Sequence, residues 1–591
     1  MNKLETNNRF IKNNKKIKVL LATEGTYPYH TGGVSTWCDA LIRNLDNVEY
    51  MVYSIVMNPY VTQSMALPDD AKMLKVPLWG TEEPFEHLNI PFSQVYRTKG
   101  NTDNRVIEEE FIPLFKEIVQ DILSENKKPV RLGYLIAEMY QYFQRYDYKD
   151  TFKSEITWEV FKELVLETAN DNKNRLGQPS VFSMIQSLGW LYRFFTILYT
   201  PVPKTDITHS AAAAFCGIPC VISKILYGTP YLLTEHGVYL REQYLSLSKR
   251  GYDKYLSTFF IRMVQSIVKL NYAYADQISP VCSYNTRWET KLGVLPGKIK
   301  VIYNGVNAEY FKPKESLRAG DHLRVVAVAR VDPVKDLLSM ITAARTVKDQ
   351  IKNVTFHVYG SVTVPEYYEE CLDHVKKLNL QNTFFFEGNT NDTPSAYASG
   401  DMIILSSITE GFPYSVVEAM MMGKPVVSTN VGGISEAMGG IGLLSTPGKP
   451  DELAQLLITV LSDKAMREDM GRRGRERALD LFTIEENAKN YYDSYKKLID
   501  RNIAVKRENE RLAKQELTAE RGYALIESGQ WNVGIAELKK AVNEYPDSIA
   551  TPVLLNKISE AYESLGDYDS AKNEKMKADL LAEVYVGTRI A

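Results

Sequence analysis

Short β-rich runs alternate with helix-like segments in two successive series along this chain, and this alternation constrains the fold more than any other feature of the sequence. The first series opens with Ile17-Lys-Val-Leu-Leu-Ala-Thr23, which closes in Glu24-Gly25. A loop from Thr26 to Gly33 and a helix-like stretch from Val34 to Leu45 follow. Further runs stand at Tyr50–Val56, Asp206–His209, Pro230–His236, Gln277–Val281 and Lys300–Tyr303. The second series comprises Leu323–Ala329, Val354–Tyr359, Thr383–Phe386, Met402–Leu405 and Pro425–Ser428. Strands that alternate with helices pair in parallel through right-handed crossovers. Each series therefore predicts a doubly wound α/β domain, and two in succession predict two such domains facing each other.

Domain limits follow from where the pattern changes. A polar leader occupies 1–16, a first Rossmann-like domain 17–310, and a second 320–482. Within the first, about 101–200 switches to long helical periodicity with dense aromatics, a helical insertion. Charged crossing and linker helices at 483–516 lead to an all-α tail at 517–591 that repeats internally. Gly529-Gln-Trp531, Gly534 and Ala541 recur as Gly566-Asp-Tyr568, Ala571 and Ala578, each 37 residues further on. Small residues at those places let antiparallel helices close on each other, and Pro546 ends the first unit, so the tail resembles the tetratricopeptide pattern. Two units fall short of the roughly three that a free-standing array needs. The tail is thus expected to lean on the rest of the chain, a protein partner or another copy of itself.

Charge and composition exclude several classes of function. Lys+Arg 70 against Asp+Glu 73, with 45% hydrophobic and 24% charged residues, describes a globular chain with no basic surface for nucleic acid. The longest apolar region, Val181–Pro203, is interrupted by Gln186, Gly189 and Arg193, so it does not qualify as a membrane span and reads as a buried helix rather than a membrane-surface contact. The leader lacks the apolar segment of a secretory signal. Five cysteines form an odd, sparse set suited to a reducing compartment, with Cys216 and Cys220 read as buried thiols. A cytoplasmic protein is expected, with at most peripheral membrane contact through a complex.

The chemistry-bearing residues collect at predicted strand ends. Gly32-Gly33 lies between the first strand and a helix, where backbone N–H groups can approach an anion, although such a pair also serves simple turns. Arg330 and Lys335 follow the first strand of the second domain, where open α/β sheets bind ligands and where a diphosphate needs cations. Solvated surface charge is the other reading. Glu410-Gly411-Phe412-Pro413-Tyr414-Ser415-Val416-Val417-Glu418 comes next. Gly411 and Pro413 shape a turn, Ser415 is an expected N-cap, and Glu418 is expected in the first turn of a helix ending at Gly423. Glu410 stays in the loop above the sheet edge.

Together with Asn304-Gly305-Val306 and Val431-Gly432-Gly433, these motifs resemble glycosyltransferase family 4, retaining enzymes of the GT-B fold, over Ile17 to Leu498. Three segments, Thr234–Glu242, Tyr367–Cys371 and Ser406–Ser415, are similar to the PelF-like exopolysaccharide branch, to which the tail is an addition. The resemblance implies a nucleotide-sugar donor, glucose from UDP-glucose in that branch, and a polysaccharide or other glycan acceptor. It implies that Arg330 and Lys335 bind the diphosphate, Glu418 the ribose and Glu410 the donor sugar, with Gly33 giving a backbone N–H to the phosphates. The departing phosphate would take the acceptor proton on the same face, so no protein nucleophile is needed. His209 matches a family histidine near the reacting sugar, and His236 is a second candidate. For both, a hydrogen-bonded packing histidine is the alternative. Tyr239, Arg241 and Glu242 are expected on the acceptor side. No HExxH or clustered Cys/His set occurs and the Asp567-Tyr568-Asp569 triplet falls in the tail, so neither a metal nor another cofactor is indicated. Another donor, UDP-N-acetylglucosamine or GDP-mannose, with a lipid-linked acceptor is an alternative, and a catalytically quiet scaffold is another. A scaffold would have no use for a diphosphate clamp.

Overall fold

The computed structural model of the protein describes residues 16–80, 90–171, 173–248, 250–314 and 322–587. All but the last residue of the expected leader lies outside them. Two compact units divide the chain, one up to Leu498 and one from Ile499.

The first unit holds two parallel six-stranded sheets. One consists of β1 (Ile17–Glu24), β2 (Val48–Val56), β3 (Lys72–Pro77), β4 (Ile207–Ser210), β5 (Tyr231–Glu235) and β6 (Gln277–Pro280), in the order β3-β2-β1-β4-β5-β6. The other consists of β7 (Leu323–Val328), β8 (Val354–Tyr359), β9 (Phe384–Gly388), β10 (Met402–Leu405), β11 (Val426–Thr429) and β12 (Leu443–Ser445), ordered β12-β11-β10-β7-β8-β9. Central strands such as β4, β5, β10 and β11 are buried along their whole length, as sheets covered by helices on both faces require. The two facing doubly wound domains of the sequence are thus present.

Lys300–Tyr303, expected as a strand, is not one. Ile299 makes an isolated bridge to Ile278, and the chain runs on beside β6 with Lys300 N–H donating to Ile278 O and Ile302 N–H to Pro280 O. Pro280 has no N–H to return, so no ladder forms.

The helical insertion runs from Phe92 to Leu198. Phe111, Phe115, Tyr142, Phe143 and Phe152 interlock in its centre, with Phe111 and Phe115 stacked at 5.2 Å between centroids. The apolar stretch Val181–Leu198 is 50% buried: Leu191, Phe195, Ile197 and Leu198 pack inward while Val181, Phe182 and Ile185 are exposed. All five cysteines are buried and unpaired.

The helix Ile484–Glu527 belongs to both units. Its first turns return to the first sheet, where Tyr495 O–H meets His209 Nδ1 at 2.7 Å and Tyr491 O–H accepts from Thr234 Oγ1 at 3.0 Å. In the second unit, helices Trp531–Glu544, Thr551–Ser564 and Tyr568–Gly587 pack with its last turns around Ile526, Leu538, Ala541, Ile558 and Ala578. A Cβ on Gly534 would stand 2.6 Å from Ile526 Cγ1, so this small residue marks a helix crossing, whereas Gly529 and Gly566, at φ 80° and 78° with open space around them, mark turns instead.

Candidate active site

Both sheets turn their C-terminal strand ends toward one cleft, the place where open α/β sheets hold ligands. The loop after β1 ends in Gly32, the N-cap of helix Gly33–Asn44, and β5 ends in Glu235 with His236 directly after it. From the second domain come the loop Ser406–Pro413 and helix Tyr414–Met421. The domains touch closely here, since a Cβ on Gly411 would lie 2.4 Å from His236 O and one on Gly33 3.4 Å from the Tyr414 ring. Glycine is required at 411 by that approach. Gly432, at φ 58°, is required by another: a Cβ there would stand 1.9 Å from Glu410 O.

Between the domains is a cavity of about 360 Å³, lined by Glu24, Thr26, Gly33, His236, Gly237, Tyr239, Glu242 and Asn304 from the first domain and Gly411, Phe412 and Tyr414 from the second. Thr26 Oγ1, His236 Nε2, Asn304 Oδ1 and the Tyr414 hydroxyl are buried without a hydrogen-bond partner. Four such atoms around one cavity leave polar capacity that a hydroxyl-rich ligand would satisfy. Burial pushes the His236 imidazole down to about 3, so the ring is neutral. Trp37 holds it edge-on, with ring centroids 4.7 Å apart.

Just beyond Gly411, Lys335 Nζ and Glu410 Oε1 form an ion pair at 2.5 Å, both side chains largely buried. Ser407 Oγ donates to the same oxygen at 2.6 Å, and Ser406 Oγ donates to Lys335 O at 2.7 Å. Arg330 is exposed at the end of β7. Glu418 Oε2 accepts from Tyr397 O–H at 2.6 Å, and burial lifts its carboxyl to about 7.

Two sequence expectations are corrected here. Pro413, not Ser415, is the N-cap, and Ser415 lies within the helix. Glu418 accordingly sits in its second turn, as the fifth residue from Tyr414. Proline's fixed φ suits the start of a helix, so the turn ends earlier than a hydroxyl cap would place it.

Of the residues singled out in the sequence, the cavity gathers Gly33, His236, Tyr239, Glu242, Gly411 and Phe412. Lys335 and Glu410 pair beside it, and Gly32 and Pro413 flank it along the chain, while Arg241 is half-buried outside the lining. His209 is fully buried, with Nδ1 on Tyr495 and Nε2 on Thr234 Oγ1 at 2.8 Å, the geometry of a packing histidine. Sequence reasoning missed Glu24, Thr26 and Tyr414. Glu24 ends β1 at the sheet's switch point, which is itself a signal for ligand binding. It also missed Glu436, whose carboxylate reaches across from the second domain to Ser283 N–H at 2.8 Å and to Tyr303 O–H at 2.7 Å. Among the described residues no group of three or more His, Cys, Asp or Glu side chains is placed to hold a metal ion.

Residues 310–477 match the glycosyl transferases group 1 family. The chain carries a group 1 glycosyltransferase domain. Ahead of it, residues 17–296 match a domain of unknown function, DUF3492. Among curated proteins, the UDP-Gal:alpha-D-GlcNAc-diphosphoundecaprenol alpha-1,3-galactosyltransferase of Escherichia coli is 24% identical over 54% of this chain and 80% of its own length. The MMP alpha-(1->4)-mannosyltransferase of Mycolicibacterium hassiacum is 25% identical over 51% of this chain and 72% of its own. Among solved structures, Anabaena HepE in complex with UDP and glucose aligns at TM-score 0.51 and 15% identity, covering 81% of this chain and 99% of that one. Sucrose-phosphate synthase from Thermosynechococcus elongatus aligns at TM-score 0.53 and 15% identity, covering 82% and 100%. The fold is GT-B, and the glycosyltransferase match falls on its second domain.

Proposed function

We propose that the protein is a retaining hexosyltransferase that moves glucose from UDP-glucose onto a growing polysaccharide or related glycan, without a metal ion, in exopolysaccharide synthesis of the PelF-like kind. In this reading Lys335 and Arg330 bind the diphosphate, Glu418 the ribose and Glu410 the sugar hydroxyls. The N-terminus of helix Gly33–Asn44 faces the phosphates from the other domain. His236, neutral and unpartnered at the cavity wall, takes the sugar-facing place that the sequence offered first to His209. Fixed dipoles and cations stabilise charge on the leaving diphosphate without reorganising, which is the main demand of same-face transfer.

The observation that carries the reading is the cavity between the two domains, ringed by unpartnered polar atoms and abutting the Lys335–Glu410 pair. Anabaena HepE, which shares the fold, was solved in complex with UDP and glucose, and this supports the choice of donor. Calorimetric titration with UDP, UDP-glucose, UDP-galactose and GDP-mannose tests it. UDP and UDP-glucose are expected to bind most tightly, and the glycoside formed should keep the donor's α configuration by NMR. Preference for GDP-mannose, or an inverted product, would overturn it.

A further inference from the structure

We propose that Glu24 binds the acceptor sugar, taking a hydrogen bond from one of its hydroxyls, and that with Glu242 it admits neutral or cationic sugars and excludes anionic ones. This rests on the reading of the cleft as a transferase site and names the class of acceptor that site accepts.

Glu24 stands half-buried at the end of β1, in the cavity wall contributed by the first domain. Its Oε1 accepts from Tyr239 O–H at 3.0 Å and its Oε2 from Cys216 N–H at 3.2 Å. With a further backbone N–H, that of Phe215, these bonds fix the plane of the carboxylate and leave about one of its four acceptor sites free for a ligand hydroxyl. The second carboxylate, Glu242, lies over Gly237, where an added Cβ would stand 2.0 Å from its Oε1. No Lys or Arg is among the described residues that line the cavity. Lys335 and Arg330 lie outside that lining in the second domain, and Arg241, next to Glu242 in the chain, lies outside it in the first.

Asn304 is an independent sign of a ligand. Its side chain is 3% exposed, lines the same cavity, and leaves Oδ1 without a donor. Glu24 and Asn304 thus both offer acceptors, while Thr26 Oγ1 can donate. A neutral sugar supplies hydroxyls that do both. A carboxylate or phosphate on the acceptor would instead face two carboxyls, with the nearby cation Arg241 acting on Glu242 from outside the cavity lining, which disfavours it.

The test uses the full-length protein with UDP-glucose and three probe acceptors: methyl glucoside, methyl glucosaminide and methyl glucuronide. UDP release above the hydrolysis background is expected with the first two and not with the glucuronide. Glu24→Gln keeps the shape and removes the charge. It should cut the acceptor-dependent rate about ten- to a hundredfold, the range for a hydrogen bond to a charged group. UDP affinity should stay unchanged, and the preference for glucoside over glucuronide should narrow. A merely structural Glu24 would leave that preference where it was. An unchanged acceptor-dependent rate in the variant, equal use of glucuronide by the native protein, or no response to any probe would overturn the proposal. Loss of UDP binding in the variant would also overturn it. Failure of the native protein to bind UDP would overturn the donor assignment instead.

Discussion

Lys335 and Glu410 hold each other at 2.5 Å, so each is prearranged by the other, and their substitutions should separate by which half of the donor is lost. Lys335→Ala removes a charge-assisted contact to the diphosphate and should weaken UDP binding by about 1.5–3 kcal/mol. Ser407 still holds the Glu410 carboxylate, so folding should survive. Isothermal titration of UDP reads this directly, and unchanged affinity would remove Lys335 from the phosphate site. Glu418 makes a different prediction, about pH. Burial raises its carboxyl from 4.5 to about 7 against the opposing hydrogen bond from Tyr397. Between those values the folded chain keeps a proton that the unfolded chain has released, so this group's contribution to stability falls as pH rises. Glu418→Gln should flatten that fall, seen in the unfolding temperature between pH 5 and 8. A variant that differs from the native protein by a constant amount across the range would show Glu418 ionised throughout.

At the scale of elements, the strands that carry the site were legible because they are central and rich in β-branched, aromatic or aliphatic residues. β1, β4, β5, β10 and β11 are recognisable from residue type alone. β3 and β12 were not, since both are edge strands: β3 carries Lys72 and Lys75, and β12 has three residues. Motif residues within one loop were also legible, such as Glu410 to Phe412. What the sequence hid are contacts between elements far apart in the chain. His209 and His236 look alike as strand-end histidines, and only the return of Tyr495 from 286 residues away shows that one of them is already partnered. Glu436 is another such case. It caps helix Ser283–Lys291 of the first domain from the second, accepting from Ser283 N–H, Ser283 Oγ–H and Tyr284 N–H. Loss of an N-cap costs about 1 kcal/mol, and this one also joins the domains through Tyr303, which stacks on Phe412 at 5.4 Å. Glu436→Ala should therefore lower the unfolding temperature and broaden the interdomain arrangement seen by small-angle scattering, with weaker UDP binding as a result. Unaltered scattering with lowered stability would confine Glu436 to a local cap.

For the whole molecule, the decisive segment is the helix Ile484–Glu527, because its two ends serve different units. Every residue of the site lies before Leu498, and the second unit has its own core around Leu538 and Ile558. Truncation after Leu498 should leave UDP affinity intact. If the tail pairs with a partner or a second copy, the loss should appear as a change in solution mass or capture, since Val533, Val553, Tyr568 and Met576 expose apolar surface there. Truncation before Ile484 should behave differently. It removes Tyr491 and Tyr495, both fully buried, and leaves His209 Nδ1 without its hydroxyl partner in a dry interior. Losing a buried aromatic side chain costs about 3–5 kcal/mol, and two such losses approach the whole stability of a typical domain. The shorter protein should therefore be poorly folded and fail to bind UDP, while the one only about fifteen residues longer, roughly four helical turns, binds normally. Circular dichroism melts and UDP titration of the two truncations decide it. Equal behaviour, whether both sound or both defective, would mean that the helix's first turns are not what ties the chain back onto the first domain.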